Sequence, residues 1–91
     1  MGRSSRPKPA RLATKLLSIR EALGISQAEM VNVLDYPKIH PAHISGYERG
    51  EREPPLPVLL RYARVAGICL DVLVDDEQNL PKKLPSKPKH S

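Results

Sequence analysis

The hydrophobic and polar residues between about positions 10 and 74 follow a helical period, and no segment shows the alternation of a half-buried strand. The first predicted helix runs from Ala10 to Leu23. Its apolar residues recur at steps of four, three and four positions and form one stripe: Leu12, Leu16, Ile19 and Leu23. The charged residues of this helix fall outside the stripe: Arg11, Lys15 and Glu21. Gly24 follows at the position where a left-handed residue commonly ends a helix.

A second helix is predicted to begin at a capping box formed by Ser26 and Glu29. In such a box the serine hydroxyl accepts a hydrogen bond from the Glu29 amide, and the Glu29 carboxylate accepts one from the Ser26 amide. The buried side of this helix is predicted to consist of Met30, Val31 and Leu34. The segment Asp35-Tyr36-Pro37 ends the helix, because proline disfavours the helical conformation of the residue before it.

The third helix is predicted to run from Pro41 to about Arg49. Proline suits the first helical position, where the backbone N–H has no intrahelical partner, and His40 then becomes the cap residue. Ile39 and Ile44 occupy the two positions of a hydrophobic staple, which fixes the entering chain. Gly46 in the helix interior costs about 1 kcal/mol relative to alanine, so it requires either a packing reason or a close approach to another molecule.

Two further helices complete the pattern. The fourth begins near Pro57, ends at Gly67, and is predicted to turn one apolar face inward: Leu56, Leu60, Ala63 and Ala66. The fifth is a short turn over Leu70–Val74 that buries Leu70 and Leu73. Cys69 stands in the cap position before it and is predicted to be a buried structural thiol. Five short helices predict a compact all-α domain over residues 10–76.

Composition narrows the class of protein. Ninety-one residues allow one domain, and the absence of Phe and Trp predicts an aliphatic core. No stretch approaches 18 apolar residues, which excludes a membrane span, and the N-terminal segment lacks the apolar stretch of a secretory signal. The single cysteine excludes an internal disulfide and a cysteine-based zinc finger. We therefore expect a soluble protein of a reducing compartment, the cytoplasm.

Prolines and basic residues mark both ends of the chain. Residues 1–9 and 77–91 lack an apolar pattern, and both are predicted to be flexible basic tails. The first nine residues carry a net charge of +3, whereas residues 10–74 contain eight bases and seven acids. Such tails either serve solubility or bind a polyanion, and the sequence leaves both interpretations open.

Three segments carry a resemblance to a known family. They are Ser26-Gln27-Ala28-Glu29-Met30-Val31, then Ile44-Ser45-Gly46-Tyr47-Glu48-Arg49-Gly50, and, after Pro54, Ala63-Arg64-Val65-Ala66-Gly67-Ile68. Together they resemble the Cro and phage-repressor type of helix-turn-helix domain, the XRE family, over about residues 11–74. The resemblance implies a lambda-repressor-like fold that binds double-stranded DNA. The second helix is then expected to cross the DNA backbone and the third to enter the major groove.

The predicted DNA contacts lie on and beside the third helix. They are Gln27, Tyr36, Lys38, His40, Pro41, Ala42, His43, Ser45, Gly46, Arg49 and Arg52. Gln27 begins the second helix, where an N-terminus favours phosphate, although an ordinary exposed side chain is the alternative. His43 is the best candidate for a base edge, and Ala42 suits a thymine methyl group. Lys38 and Arg52 are predicted phosphate partners, against the alternative of solvated surface charges.

Other residues near this helix have competing interpretations. Gly46 either lets the backbone lie close to DNA or is a tolerated defect in a weakly specific reader. Tyr36 either donates a hydrogen bond to phosphate or covers the turn, and Tyr47 is predicted to belong to the core. By the resemblance, Arg20 and Glu48 form an ion pair that orients the third helix without touching a base. The alternative is two unrelated surface charges.

The chain departs from the family pattern at two places. The turn from Asp35 to His40 is about three residues longer than usual, which leaves the angle between the second and third helices open. The third helix opens with Pro41, Ala42 and His43, where family members often carry Gln, Arg or Asn. Few side chains there are able to form the bidentate hydrogen bonds that read base edges.

The sequence favours a binding protein over an enzyme. His40 and His43 are too few to form a metal site, no glycine-rich phosphate loop is present, and no cofactor is expected. The first hypothesis is a sequence-specific transcriptional regulator, a repressor that binds DNA as a homodimer through the region of its last two helices. The alternative is a module whose main partner is a protein, such as a toxin neutralised by an antitoxin of this fold.

Overall fold

The computed structural model describes residues 10–82 and residue 84. Within them the chain forms five α-helices and no strand, which confirms the predicted all-α class. The helices are α1 (Leu12–Leu23), α2 (Gln27–Leu34), α3 (Pro41–Glu48), α4 (Leu56–Ala66) and α5 (Leu70–Val74). Residues 1–9 and most of the C-terminal tail, which were predicted to be flexible, lie outside the described residues.

Local sequence signals account for several helix ends. Gly24 closes α1 in the left-handed conformation, with φ +72°, and its amide donates to the carbonyls of Arg20 and Glu21. The capping box at the start of α2 is complete, because Ser26 Oγ accepts from the Glu29 amide at 3.1 Å and Glu29 Oε1 accepts from the Ser26 amide at 2.8 Å. Gly67 closes α4 in the same left-handed conformation as Gly24.

The core is aliphatic, with two buried tyrosines. All five helices and the turn before α3 contribute to it: Leu12, Leu16, Ile19, Leu23, Met30, Leu34, Ile39, Ile44, Tyr47, Val58, Leu59, Tyr62, Ala63, Ala66 and Leu73. The predicted stripe of α1 and the Ile39–Ile44 staple are buried as expected. Val31 and Leu70 are only half-buried, although they pack against the core.

The predicted inner face of α4 is wrong at two positions. Leu56 and Leu60 are 63% and 38% exposed, whereas Val58, Leu59 and Tyr62 are buried. The sequence of α4 contains two overlapping stripes of helical period, and the period does not choose between them. The inward stripe carries the large tyrosine ring, which removes more apolar surface from water.

A basic residue of α4, Arg61, supports the orientation in which Val58, Leu59 and Tyr62 face the core. Arg61 Nη1 donates to the carbonyl oxygens of Leu34 and Asp35 at 3.3 and 3.2 Å. These oxygens lie at the C-terminal end of α2, where helix carbonyls lack intrahelical partners. The hydrogen bonds therefore join α4 to the point at which the chain leaves α2.

Lys15 was predicted to lie outside the apolar stripe of α1, and the structure shows that it is nevertheless buried. Its Nζ donates to the carbonyl oxygens of Val72 and Asp75 at 2.6 and 2.9 Å. These oxygens belong to the C-terminal end of α5, where a cation is favourable. Burial lowers the pKa of the Lys15 ammonium, and the neighbouring charge of Arg11 lowers the pKa further.

The packed region continues beyond residue 76, where the sequence predicted a flexible tail. Leu80 and Leu84 are half-buried against the core. The Asp76 carboxylate accepts hydrogen bonds from the amides of Ala10 and Arg11 at 2.8 and 3.0 Å, at the start of α1. The Arg11 guanidinium in turn donates to the Asp76 carbonyl oxygen and to Asn79 Oδ1. These contacts join the two ends of the described chain, and we call them the terminal latch.

Cys69 is exposed, so the prediction of a buried thiol is wrong. Its backbone is extended at the cap position of α5, and its side chain makes no capping hydrogen bond. A cap residue lies outside the helix and faces solvent, which is why serine and threonine are common there.

Candidate nucleic-acid interface

The turn between α2 and α3 accommodates its extra length through two residues in the left-handed region. Asp35 has φ +52° and Lys38 has φ +68°. This conformation is easier for aspartate than for lysine, whose longer side chain forms no compensating local hydrogen bond. Ile39 is buried at the end of the turn, so the lengthened segment is fixed at both of its ends.

The opening turn of α3 presents an exposed surface around a histidine cap. His43 Nδ1 accepts a hydrogen bond from the His40 amide at 3.0 Å, and the two imidazole rings stack with centroids 5.5 Å apart. Because Nδ1 accepts this bond, the proton of the neutral His43 ring lies on Nε2. The half-buried His43 ring therefore has one donor, Nε2, which makes no hydrogen bond with a described residue, and His43 lies next to the exposed Pro41 and Ala42.

Further along α3, two of the predicted DNA contacts are bound to each other. Arg49 Nη1 donates to Ser45 Oγ at 2.6 Å, and Arg49 Nη2 donates to Glu51 Oε1 at 2.8 Å. The arginine lowers the pKa of the Glu51 carboxyl through this hydrogen bond and through its charge. Arg49 and Glu51 are both mostly exposed, so these contacts are open to exchange with an incoming phosphate.

Three helices meet at the Glu48 carboxylate. Arg20 of α1 donates to both carboxylate oxygens, from Nε at 2.7 Å and from Nη2 at 3.0 Å, in a bidentate fork. The Gln27 amide of α2 donates to Glu48 Oε1 at 3.2 Å, and Arg20 Nη1 also donates to the Ile25 carbonyl at 2.9 Å. The Glu48 side chain is 5% exposed and that of Arg20 is 17% exposed. The predicted phosphate contact Gln27 is thus held by the same carboxylate as the predicted ion pair.

Gly46 is buried, and its packing partner is Arg52. A Cβ atom at position 46 would lie 3.0 Å from Arg52 Cδ and 3.2 Å from Arg52 Cγ. The structure therefore supplies a packing reason for the glycine and does not leave its backbone open on that side.

A groove lies between the turn before α3 and the loop that follows α3. It has a volume of about 610 Å³, and four predicted DNA contacts line it: Tyr36, Lys38, His43 and Arg52. Buried Ile39 and Tyr47 form part of its wall, as expected for Tyr47. Burial raises the pKa of the Tyr47 hydroxyl, while the charge of Arg52 lowers it. The structure thus brings the flanking cations and the base-edge candidate to one side of the domain.

Several supporting residues have no clear signal in the sequence. Arg61, Lys15 and Asp76 each act on a helix end that is far away in the chain. The sequence contains only a weak signal for the role of Lys15, namely a basic residue beside an apolar stripe, and it contains no signal for the role of Asp76.

The described residues contain no group of three or more His, Cys, Asp or Glu side chains able to hold a metal ion. No helix in the same part of the chain is long and apolar enough to cross a bilayer.

The short helices α2 and α3 are joined by a turn, and α3 exposes its N-terminal surface. They form a helix-turn-helix arrangement within a lambda-repressor-like bundle of five helices. Comparison with known families agrees, because the HTH_3 helix-turn-helix family matches residues 16–73. The chain belongs to this family, the Cro/C1-type or XRE class of DNA-binding regulators. No curated protein and no solved structure matches the chain.

Proposed function

We propose that this protein is a sequence-specific transcriptional regulator that places α3 in the major groove of double-stranded DNA. The observation that carries the proposal is the three-helix junction at Glu48. It fixes α3 relative to α1 and α2 and holds Gln27 at the N-terminus of α2. Such a junction sets the orientation of a recognition helix before DNA is bound, which lowers the entropic cost of binding.

The contacts divide into positioning and reading groups. Gln27, Lys38 and Tyr36 are assigned to phosphates on either side of α3, together with Arg49 and Ser45 after their mutual hydrogen bond exchanges. His43 donates from Nε2 to an acceptor on a base edge, and the exposed Ala42 and Pro41 contact a thymine methyl group. His40 supports His43 through the stacked rings.

Repression is the simplest mode of regulation for such a domain, because occupying DNA by itself blocks access of other proteins. Binding as a homodimer to a near-palindromic site fits the usual symmetry of helix-turn-helix operators. The exposed Leu56 and Leu60 of α4 provide apolar surface for such a dimer. A DNA-binding role also agrees with the expected cytoplasmic location.

Selection of bound sites from random DNA with the full chain tests the proposal. We expect enrichment of one sequence, arranged as two half-sites about one helical turn apart if the protein binds as a dimer. An electrophoretic shift series with this site and a scrambled duplex, at several salt concentrations, then gives the specificity ratio. Recovery of unenriched random sequence would contradict the proposal.

The alternative function, an antitoxin-like module with a protein partner, is supported by the same exposed leucines and by the small number of reading side chains on α3. It predicts that Leu56→Ser and Leu60→Ser weaken binding of a protein partner while leaving DNA affinity per protomer unchanged. A regulator that needs its homodimer for operator binding would instead lose DNA affinity in both variants.

A further inference from the structure

The surface of α3 that would face DNA has no side chain at position 46, because this residue is glycine. Gly46 follows Ala42 by four residues, so both positions lie on the same face of the helix. Neither residue has a polar side-chain atom, and the neighbouring Ser45 is engaged with Arg49. The face that would enter the major groove therefore carries few donors of its own.

Arg52 occupies the space that a side chain at position 46 would take. The Cδ, Cγ and Cβ atoms of Arg52 lie 3.0, 3.2 and 3.5 Å from the position of a Cβ on Gly46. The backbone reinforces this placement, because the amides of Glu51 and Arg52 both donate to the Gly46 carbonyl, at 2.9 and 3.2 Å. The aliphatic part of Arg52 is thus laid across α3 on the side from which the missing side chain would project.

The guanidinium of Arg52 is uncommitted. Arg52 is exposed, and its side chain makes no hydrogen bond or ion pair with any residue that the structure describes. The other described arginines near the helix-turn-helix are bound to protein groups: Arg11, Arg20, Arg49 and Arg61. Arg52 also lines the groove beside His43. The aliphatic part of Arg52 packs against α3, and its guanidinium, a planar group with several N–H donors, is available at the recognition surface.

We infer that Arg52 is a specificity-determining residue that reads a guanine in the major groove in place of the side chain absent at position 46. This inference rests on the proposed DNA-binding function. A guanidinium donates two parallel hydrogen bonds to O6 and N7 of guanine, and no other base offers two acceptors in that arrangement. The glycine then suits this position, because a Cβ there would press on the Arg52 side chain and shift it by a few tenths of an ångström.

The experiment begins with the site enriched by the full chain from random DNA. Failure of enrichment contradicts the proposed function itself and is thereby distinguishable from failure of this inference. Each guanine of the site is then replaced singly by adenine or by 7-deazaguanine, which lacks the N7 acceptor. We expect the unmodified protein to lose affinity at one guanine per half-site, about 5- to 150-fold with adenine and about tenfold with 7-deazaguanine.

The decisive variant is Arg52→Ala, with Arg64→Ala as its matched control. Arg64 is an exposed arginine of α4 whose side chain makes no hydrogen bond to any described residue and which lies outside the groove. We expect Arg52→Ala to bind the guanine, adenine and 7-deazaguanine duplexes with equal affinity, whereas Arg64→Ala keeps the full discrimination. Retained discrimination in Arg52→Ala would overturn the inference. Equal weakening on all duplexes, with a salt slope lower by about 0.9, would identify a phosphate contact and overturn it as well.

Gly46→Ala tests the placement without removing the guanidinium. Alanine favours the helix, so the variant is expected to fold, and its thermal unfolding midpoint checks this. The added Cβ forces the Arg52 chain to move by a few tenths of an ångström, and we expect part of the discrimination at the same guanine to be lost. Discrimination equal to that of the unmodified protein would contradict the placement of Arg52 across position 46.

Discussion

His43 combines a structural and a reading role in one side chain. Its Nδ1 accepts a hydrogen bond from the His40 amide, which leaves the Nε2 donor available for a base edge. His43→Ala is therefore expected to lower the free energy of unfolding by about 0.5–2 kcal/mol, as for other lost helix caps. It should also lower discrimination between the preferred site and random DNA by about 1–3 kcal/mol.

Electrophoretic shifts on both duplexes and urea unfolding measure these two effects separately. His43→Gln is the control, because glutamine at this position still accepts from the cap amide. The glutamine variant should recover stability without recovering the original base preference. An equal loss of affinity for both DNAs in His43→Ala would make His43 a backbone contact.

Tyr62 carries a polar atom that the core does not satisfy. Its side chain is fully buried, and its hydroxyl has no hydrogen-bond partner among the described residues. Removing a buried unsatisfied hydroxyl relieves a desolvation cost of about 1–3 kcal/mol. We expect Tyr62→Phe to raise the free energy of unfolding by up to that amount, measured by urea unfolding at pH 7.

The same hydroxyl predicts a pH dependence. Burial raises the pKa of Tyr62 far above its ordinary value in the unfolded chain, and the charge of Glu48 raises it further. Above about pH 10 the unfolded chain therefore releases a proton that the folded chain retains, and stability falls as the pH rises. Tyr62→Phe should lose less stability than the unmodified protein between pH 9 and pH 11. Parallel losses would show that other groups cause the alkaline instability.

At the scale of elements, the Glu48 junction couples α1 to α3. Breaking a fully buried ion pair by removing one partner costs about 3–5 kcal/mol, and the partial exposure of Arg20 places this pair near or below the lower limit. We expect Arg20→Ala and Glu48→Ala each to lower both the thermal unfolding midpoint and the DNA affinity. A double-mutant cycle on unfolding free energy should give a non-zero coupling.

Gln27→Ala provides the control for this junction, because it removes only the third and longest hydrogen bond. It should leave the unfolding midpoint nearly unchanged and weaken DNA binding without changing base preference. A zero coupling energy between Arg20 and Glu48 would show that the pair does not orient α3.

At the scale of the whole molecule, the terminal latch holds the two ends of the domain together. The amides of Ala10 and Arg11 lower the pKa of the Asp76 carboxyl by donating hydrogen bonds to it. Its stabilising contribution is therefore present above the pKa of an unfolded aspartate and is lost as the pH falls through the lower folded pKa. Asp76→Asn should unfold at a lower temperature at pH 7, and the difference should shrink towards pH 2.

Glu77→Gln is the matched control, because Glu77 is the exposed acidic neighbour and its carboxylate accepts no hydrogen bond from a described residue. It should unfold like the unmodified protein across the pH range. A difference between Asp76→Asn and the unmodified protein that is constant with pH would show that carboxylate ionisation is not involved.

The latch also fixes the place where the basic residues 1–9 join the domain. Ala10 lies beside the loop after α3, since it lines a small cavity together with Gly50 and Arg52. We expect deletion of residues 2–9 to lower the slope of log affinity against log salt concentration by up to about 2.7, because three bases are removed. Site preference should survive, because α3 is unchanged.

A matched control keeps the length of this segment and replaces Arg3, Arg6 and Lys8 by serine. It should reproduce the lower salt slope of the deletion, measured on one duplex at several salt concentrations. Unchanged slopes in both variants would assign these bases to solubility alone.

The sequence by itself determined the five helices, most of the core and several helix ends. These features depend on residues within a few positions of one another: the stripe of α1, the Ser26–Glu29 box, the Ile39–Ile44 staple and the left-handed glycines. The tertiary structure decided the inward face of α4, the burial of Lys15 and the latch at Asp76.

It also decided that Arg52 fills the space above Gly46 and that Gln27 shares a carboxylate with Arg20. The hydrophobic period of a helix predicts one or two faces that can be buried. The partner of each long polar side chain, in contrast, is set by the unpaired backbone carbonyls and amides of other elements. Those groups converge only when the chain is packed, since burial makes an unsatisfied hydrogen-bonding group costly.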